Sequence, residues 1–320
     1  MSDGPVKFLW RIGKFLCVAG AVYVVALIAW AHAGPARVSS NLRPRDYTQG
    51  FTGRRLAEAD TTGPVDVLVL GPSYAYRGVD TRVFAKAGLR VFNLGTSSQT
   101  PRQTRWLLSR FGGNLIRQAG KTPPTIVLYE VSADLLAVSG VESTLDLLRQ
   151  TEVDWSLAME ALWSRDPRVI NELLYRGTVQ ALNATGVMPD TTSQHDTYHA
   201  GGYVERNPAP AHTGEVDSTD VHDILPAQLE AFRQNLNYLR EAGATVLLFT
   251  APKTAVVERQ TARLNLDSLL RAEGEVLTLR DAVLFEDTQH FYDARHLNTE
   301  GARLLSEALL AEVERRRSAD

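Results

Sequence analysis

The chain has 320 residues, 44% hydrophobic and 22% charged, with 34 basic against 37 acidic side chains and one cysteine. That composition belongs to a globular protein and excludes a chain disordered throughout, an internal disulfide scaffold and a zinc site built on several thiolates. A formal charge of −3 lacks the concentrated basic excess that phosphate binding requires, so no nucleic-acid partner is expected.

The chain opens unevenly. Residues 15–33, FLCVAGAVYVVALIAWAHA, contain no Asp, Glu, Lys or Arg. As a helix rising about 1.5 Å per residue they reach roughly 28 Å, close to the hydrocarbon thickness of a bilayer. Lys7, Arg11 and Lys14 precede them with only Asp3 opposing. Residues 1–14 therefore read as a cytoplasmic basic flank, 15–33 as a transmembrane anchor with the lipid bilayer as partner, and the rest as exported. Tyr23 and Trp30 suit interfacial or lipid-facing positions. Ala31-His32-Ala33 before Gly34 also has the small-x-small form of a cleavage site, but the length of the apolar run favours an uncleaved anchor over a signal peptide. The single cysteine, Cys17, lies inside this run, where apolar surroundings suppress the thiolate. Removing residues 1–33 leaves 31 basic against 36 acidic side chains. Residues 34–64, rich in Pro, Arg, Gly and Thr, read as a linker with one short helix at 46–59.

From residue 65 onward short apolar runs alternate with amphipathic stretches. The strand candidates are 65–70, 90–92, 125–129, 245–249 and 275–278. Helix candidates lie at 81–87, 102–118, 228–241 and 254–271. A last helix is capped by Asn298 and carries Leu304, Leu305, Leu309 and Val313 on one face. Strands this apolar, alternating with helices, predict an α/β domain over 65–320 with a mainly parallel five-stranded sheet covered on both faces. Residues 140–225 break the rhythm and read as an insertion. It offers helices at 143–150 and 166–182, followed by a polar stretch at 184–224 of the kind that forms lids or binding elements.

The chemistry collects where strands end. VDVLVL runs into Gly71-Pro72-Ser73-Tyr74, placing Ser73 at the active edge of the sheet. The second strand runs into Asn93-Leu94-Gly95, where a glycine lets a backbone N–H approach a developing oxyanion. Near the carboxyl end, Asp293-Ala294-Arg295-His296 precedes the capped helix. Three residues apart on a turn, Asp293 can fix the tautomer of His296, and His296 can accept the Ser73 proton.

In these blocks the sequence resembles the SGNH, or GDSL-like, hydrolase superfamily. Gly71-Pro72-Ser73 occupies the nucleophile block with Pro72 in place of the usual Asp, Asn93-Leu94-Gly95 the oxyanion block, and Asp293 with His296 the D-x-x-H block. The family's G-x-N-D block is not matched: Tyr129-Glu130-Val131-Ser132-Ala133-Asp134 stands there, with Ser132 a candidate substitute for the Asn. The resemblance implies a three-layer α/β/α sandwich of flavodoxin-like kind and a catalytic Ser73-His296-Asp293 triad. It also implies an oxyanion site at the amides of Ser73 and Gly95, with no cofactor and no metal. S-x-x-x-R-G-V-D followed by N-L-G-T-S-S-Q-T-P-R-Q is similar to the membrane-anchored branch that modifies cell-surface polymers, as in alginate O-acetylation and teichoic acid D-alanylation. From this follow a periplasmic esterase or O-acyltransferase and, as partners, an acyl-bearing envelope polysaccharide or its lipid-linked precursor and a membrane acyltransferase. The missing Asn keeps a second reading open, a catalytically weak glycan-binding or scaffolding component of such a complex.

Other polar residues are candidates for substrate contact. Tyr198 and Tyr203 can stack on a sugar ring while His199 hydrogen-bonds its hydroxyls. Arg77 and Arg102 can meet an anionic polymer, or pair with Asp80 and other carboxylates. His195 and His199 stand four apart, with His212 and His222 following, but Gly201-Gly202 argues against the helix that a shared zinc would need. Glu130 is either a buried pairing residue or part of the site.

Overall fold

The computed structural model describes residues 4–34, 50–121, 123–182, 195–206, 223–279 and 285–318. Residues 35–49 of the linker, and His212 and His222, lie outside the described residues. α1 (Gly4–Ala33) is one long helix, and its stretch Val6–Ala33 is long and apolar enough to cross a membrane, with a mean hydropathy of 2.2. After it come α2 (Thr52–Thr61), β1 (Val67–Leu70), α3 (Ser73–Gly78), α4 (Thr81–Lys86) and β2 (Val91–Asn93). The expected helix at 102–118 is instead α5 (Pro101–Leu107), a π-helical turn and the short α6 (Gly113–Leu115). The π turn ends at the Gly112-Gly113 pair. β3 (Ile126–Glu130) and α7 (Ala133–Leu136) follow.

β1, β2, β3, β6 (Thr245–Phe249) and β7 (Glu275–Val276) form one parallel sheet in the order β2-β1-β3-β6-β7. The fold is thus α/β with a five-stranded parallel sheet. Alternation along the strands sends side chains to two apolar clusters. Leu68, Leu70, Val127, Tyr129 and Leu248 face Trp106, Leu107, Phe232 and Leu236 of α5 and α11 (Pro226–Glu241). Val67, Val69, Leu128, Leu247 and Phe249 face Phe84 of α4 and Leu305, Leu309 and Val313 of a C-terminal helix, Thr299–Arg317. Asn298 caps that helix by accepting the Gly301 N–H at 2.9 Å. Between β6 and this helix the chain forms α12 (Ala255–Thr261), α13 (Leu266–Glu273) and α14 (Asp287–His290), so the C-terminal helix is α15. The single helix expected over 254–271 breaks at Asn265, whose φ of 43° lies in the left-handed region.

The segment expected as an insertion is partly core. α8 (Val141–Gln150) sends Leu145, Leu147 and Leu148 into the same cluster as α5 and α11, joined by Leu157 and Val169 from α9 (Trp155–Trp163) and α10 (Pro167–Ala181). α10 also packs on the C-terminal part of α1, where Leu27 and Ala31 bury against Tyr175. The polar stretch contains an unexpected antiparallel hairpin, β4 (Asp196–His199) and β5 (Tyr203–Arg206). In the sheet order the chain reverses between β1 and β3, and crevices at the carboxyl ends of such a pair are where doubly wound sheets bind ligands. Ser73 follows β1, and Glu130 ends β3.

Candidate active site

β1 reaches α3 through Gly71 and Pro72, and Ser73 is the first residue of the helix. The turn requires glycine, because Gly71 has φ +137° and a Cβ there would lie 2.8 Å from Glu130 Cβ. The Ser73 hydroxyl lies 2.8 Å from His296 Nε2. His296 Nδ1 in turn lies 2.9 and 3.0 Å from the two Asp293 oxygens. With Nδ1–H donated to the carboxylate, Nε2 is the acceptor for the serine proton, so this arrangement selects the tautomer a general base needs.

The turn that holds His296 is tied at both ends. Asp293 Oδ1 accepts the backbone N–H groups of Arg295 at 2.7 Å and His296 at 2.8 Å. Phe291 pairs with Leu297 in an antiparallel bridge, and Thr254 donates its hydroxyl to the Ala294 carbonyl at 2.9 Å. Burial pushes the Asp293 carboxyl up, but its hydrogen bond and attraction to His296 and the two backbone donors overrule that and hold it below its ordinary value. For His296 burial wins: desolvation, with the positive charges of Arg77 and Arg295, lowers the imidazole despite Asp293. The downward shift favours the neutral imidazole.

Two aromatic rings flank this imidazole. Tyr292 stacks on it with centroids 5.6 Å apart and planes 6° from parallel, and the Tyr74 ring lies 5.2 Å away at 40°. Tyr74 donates to Asp134 Oδ2 at 2.7 Å, and Arg295 pairs with the same oxygen at 2.9 Å. Neither ring stood out in the sequence. The only signals were adjacency to Ser73 for Tyr74 and to Asp293 for Tyr292, and adjacency does not reveal stacking.

Both candidate oxyanion donors beyond Ser73 are already engaged. The Gly95 amide donates to Asn93 Oδ1 at 3.1 Å. Ser132 is buried, donates to Glu130 Oε1 and accepts from Lys253 Nζ at 2.8 Å. Ser132 thus belongs to a polar cluster under the site and, as it stands, has no proton to offer an oxyanion. The Ser73 amide, first in α3, belongs to the donors a helix leaves without an intrahelical acceptor. Glu130 is buried, accepts from Ser132 and from the Ala251 N–H, and also borders the site. Burial raises its carboxyl to about 7 despite the opposing charge of Lys253. Its Oε2 has no hydrogen-bond partner among the described residues. A small pocket beside the Gly71–Ser73 turn is lined by Pro72, Gln99, Thr100, Pro101, Glu130 and Leu135.

Burial and pairing correct the substrate contacts expected of Tyr198, His199 and Tyr203, and for Arg77 and Arg102 the carboxylate pairing is the alternative observed. Arg77 is 4% exposed and makes a two-pronged ion pair with Asp196, 3.0 Å at each prong, while Arg206 pairs with Asp196 at 3.0 Å. Both guanidiniums lie over the Tyr292 ring, at 5.9 and 5.1 Å. Arg77 is thus a clamp on the hairpin rather than a ligand for polymer. Tyr203 is 1% exposed, with His199 stacked on it, and Tyr198 packs on Phe51 and donates to Glu58 at 2.5 Å. With their faces occupied, these tyrosines offer no platform for a sugar. His199 bonds Glu205 at 2.6 Å, and it lies on a strand rather than a helix, so His195 four residues earlier is not brought beside it as helical spacing would bring it. Arg102 pairs with Glu160 at 2.9 Å. No protein-family model matches the chain, and no curated protein matches it.

Proposed function

We propose that the chain is an SGNH-type serine esterase or O-acyltransferase, held by α1 in the plasma membrane with its α/β domain outside the cytoplasm. On this reading the sheet and its two helical coverings form the three-layer sandwich of that superfamily. The substrates are acyl esters, acetyl foremost, of envelope glycans or their lipid-linked precursors. The observation that carries the reading is the Ser73–His296–Asp293 chain of hydrogen bonds at the carboxyl edge of a parallel sheet.

Ser73 Oγ bonds to the acyl carbonyl carbon as its proton passes to His296 Nε2, while Asp293 stabilises the imidazolium. The ester C–O bond then breaks, and His296 returns the proton to the departing alkoxide. Water or a sugar hydroxyl next attacks the acyl-serine carbon and loses its proton to His296; the acyl C–Oγ bond breaks, and His296 returns that proton to Ser73 Oγ. The Ser73 amide meets the oxyanion, and the Gly95 amide joins it when Asn93 releases or shares that donor.

The engaged state of Gly95 and Ser132 favours one alternative, a catalytically weak glycan-binding or scaffolding component. The full chain in detergent, assayed on an activated acetyl ester beside Ser73→Ala, separates the two. Turnover and fluorophosphonate labelling that both vanish in the alanine variant support the enzyme. Equal rates in both proteins, with polysaccharide binding retained, support the scaffold.

A further inference from the structure

Glu130 closes β3 at the register of the Gly71–Ser73 turn. Val67 to Leu70 of β1 pair with Ile126 to Tyr129 of β3, so the next residues, Gly71 and Glu130, face each other, and a Cβ on Gly71 would lie 2.8 Å from Glu130 Cβ. Gly71, Pro72, Glu130 and Ser132 share the walls of the small pocket with Gln99 and Thr100. The pocket is thus bounded by the chain leaving β1, the chain that leads from β2 into α5, and the chain leaving β3. On the esterase reading, a developing oxyanion at Ser73 is received beside this turn. Two of the donors expected for it, the Gly95 amide and the Ser132 hydroxyl, are engaged by Asn93 and Glu130.

The two oxygens of the Glu130 carboxyl differ. Oε1 accepts the Ser132 hydroxyl and, at 3.2 Å, the Ala251 N–H, which occupies both of its lone pairs. Oε2 is enclosed and has no hydrogen-bond partner among the described residues. A proton on this side chain therefore sits on Oε2, and a buried donor left without an acceptor is costly. We propose that Glu130 in its acid form is a catalytic hydrogen-bond donor, its Oε2–H received by the carbonyl oxygen of the acyl substrate and holding that oxygen more tightly as negative charge develops on it. This rests on the esterase or acyltransferase reading, and it supplies the side-chain donor that the unmatched G-x-N-D block lacks. Burial keeps the proton in place: it raises the carboxyl to about 7, with Asp134 on α7 adding to the rise and Lys253, the Ser132 hydroxyl and the Ala251 N–H opposing it. On its other sides Glu130 meets Gly71, the uncharged Gln99 and Thr100, and Tyr129, whose phenol burial raises to about 12. His296 is lowered and Glu130 raised, the directions that a neutral base and a neutral acid at one site require.

The test is the pH profile of kcat/KM on an activated acetyl ester for the full chain in detergent, as wild type, Glu130→Gln, Glu130→Leu and Ser73→Ala. The wild-type profile should fall as pH rises through about 7, because the donor becomes a carboxylate facing the oxyanion. Glu130→Leu should lose about 100-fold on the acid side of that fall. In Glu130→Gln the carbonyl keeps Ser132 and Ala251 while Nε2–H takes the place of Oε2–H. It should regain about 10-fold or more of the loss and show no fall near 7. A fall near 7 that persists in Glu130→Gln, or equal rates in the Gln and Leu variants, would overturn the proposal. So would a wild-type profile without that fall. Melting temperatures show whether each variant is folded, and if Glu130→Leu is not, the profile of Glu130→Gln decides alone. Equal turnover in wild type and Ser73→Ala would remove the esterase reading and this proposal with it. Turnover that depends on Ser73, with an unaltered profile in Glu130→Gln, removes the proposal alone.

Discussion

His296 is poised by opposing pressures whose balance can be read in a pH profile. Burial and the charges of Arg77 and Arg295 hold the imidazole below its ordinary value, and Asp293 pulls the other way without overcoming them. The proposed esterase chemistry needs the neutral ring, so the acidic limb of kcat/KM should have its midpoint below the ordinary histidine value of about 6.5. A limb centred above 7 would contradict that balance. Glu130 presents the opposite case. Its folded carboxyl is raised from 4.5 to about 7, so the native state holds a proton that the unfolded chain has lost. Stability from this group is full below pH 4.5 and declines as pH rises through 7. Glu130→Gln, which cannot ionise, should flatten that decline, as followed by Tm between pH 4.5 and 8. Ser73, Asp293 and His296, which the fold brings into one hydrogen-bonded chain, were legible in the sequence because each sits beside a local landmark, a strand end or a helix cap. Glu130, Ser132 and Lys253 were not legible as one cluster, since Lys253 lies 121 positions from Ser132 and only the pairing of β3 with β6 brings them together.

At the scale of elements, the hairpin β4–β5 is fastened to the domain by several bonds, among them Arg55 to the Gly202 carbonyl, Tyr198 to Glu58 and the buried ion pair of Asp196 with Arg77. Asp196 is fully enclosed and serves both Arg77 and Arg206. Asp196→Ala would leave two guanidiniums without their anion and cost about 3–5 kcal/mol, the usual penalty for breaking a buried ion pair from one side. Urea unfolding measures that loss. Because both arginines rest on Tyr292, which stacks on His296, the same substitution should also lower kcat more than it changes KM. A loss of stability with kcat intact would confine the clamp to a structural role. The sequence concealed this hairpin because its composition, DTYH and YVER, is polar, and its strands lie against α2 and the end of β2 rather than in the main sheet. The helix 155–163 escaped for the opposite reason. WSLAMEALW carries apolar residues on every side, so its periodicity does not mark a buried face.

For the whole molecule, the parallel sheet and its order follow from apolar runs that were plain in the sequence, and each expected strand lies within two residues of an observed one. The placement of the segment 140–225 was not plain. Leu145, Leu148, Leu157 and Val169 share a core with residues far away in the chain, and no local pattern announces that. The serine and the histidine whose contact defines the candidate site stand 223 positions apart. A chain threaded across a membrane from its amino end delivers Ser73 long before His296. On the route proposed here the serine waits without His296 while the intervening residues emerge, and the Ser73–His296 contact forms only once the segment before α15 has arrived. Under the proposed function, incomplete export products would therefore be chemically silent toward esters, and only finished molecules would carry an active serine.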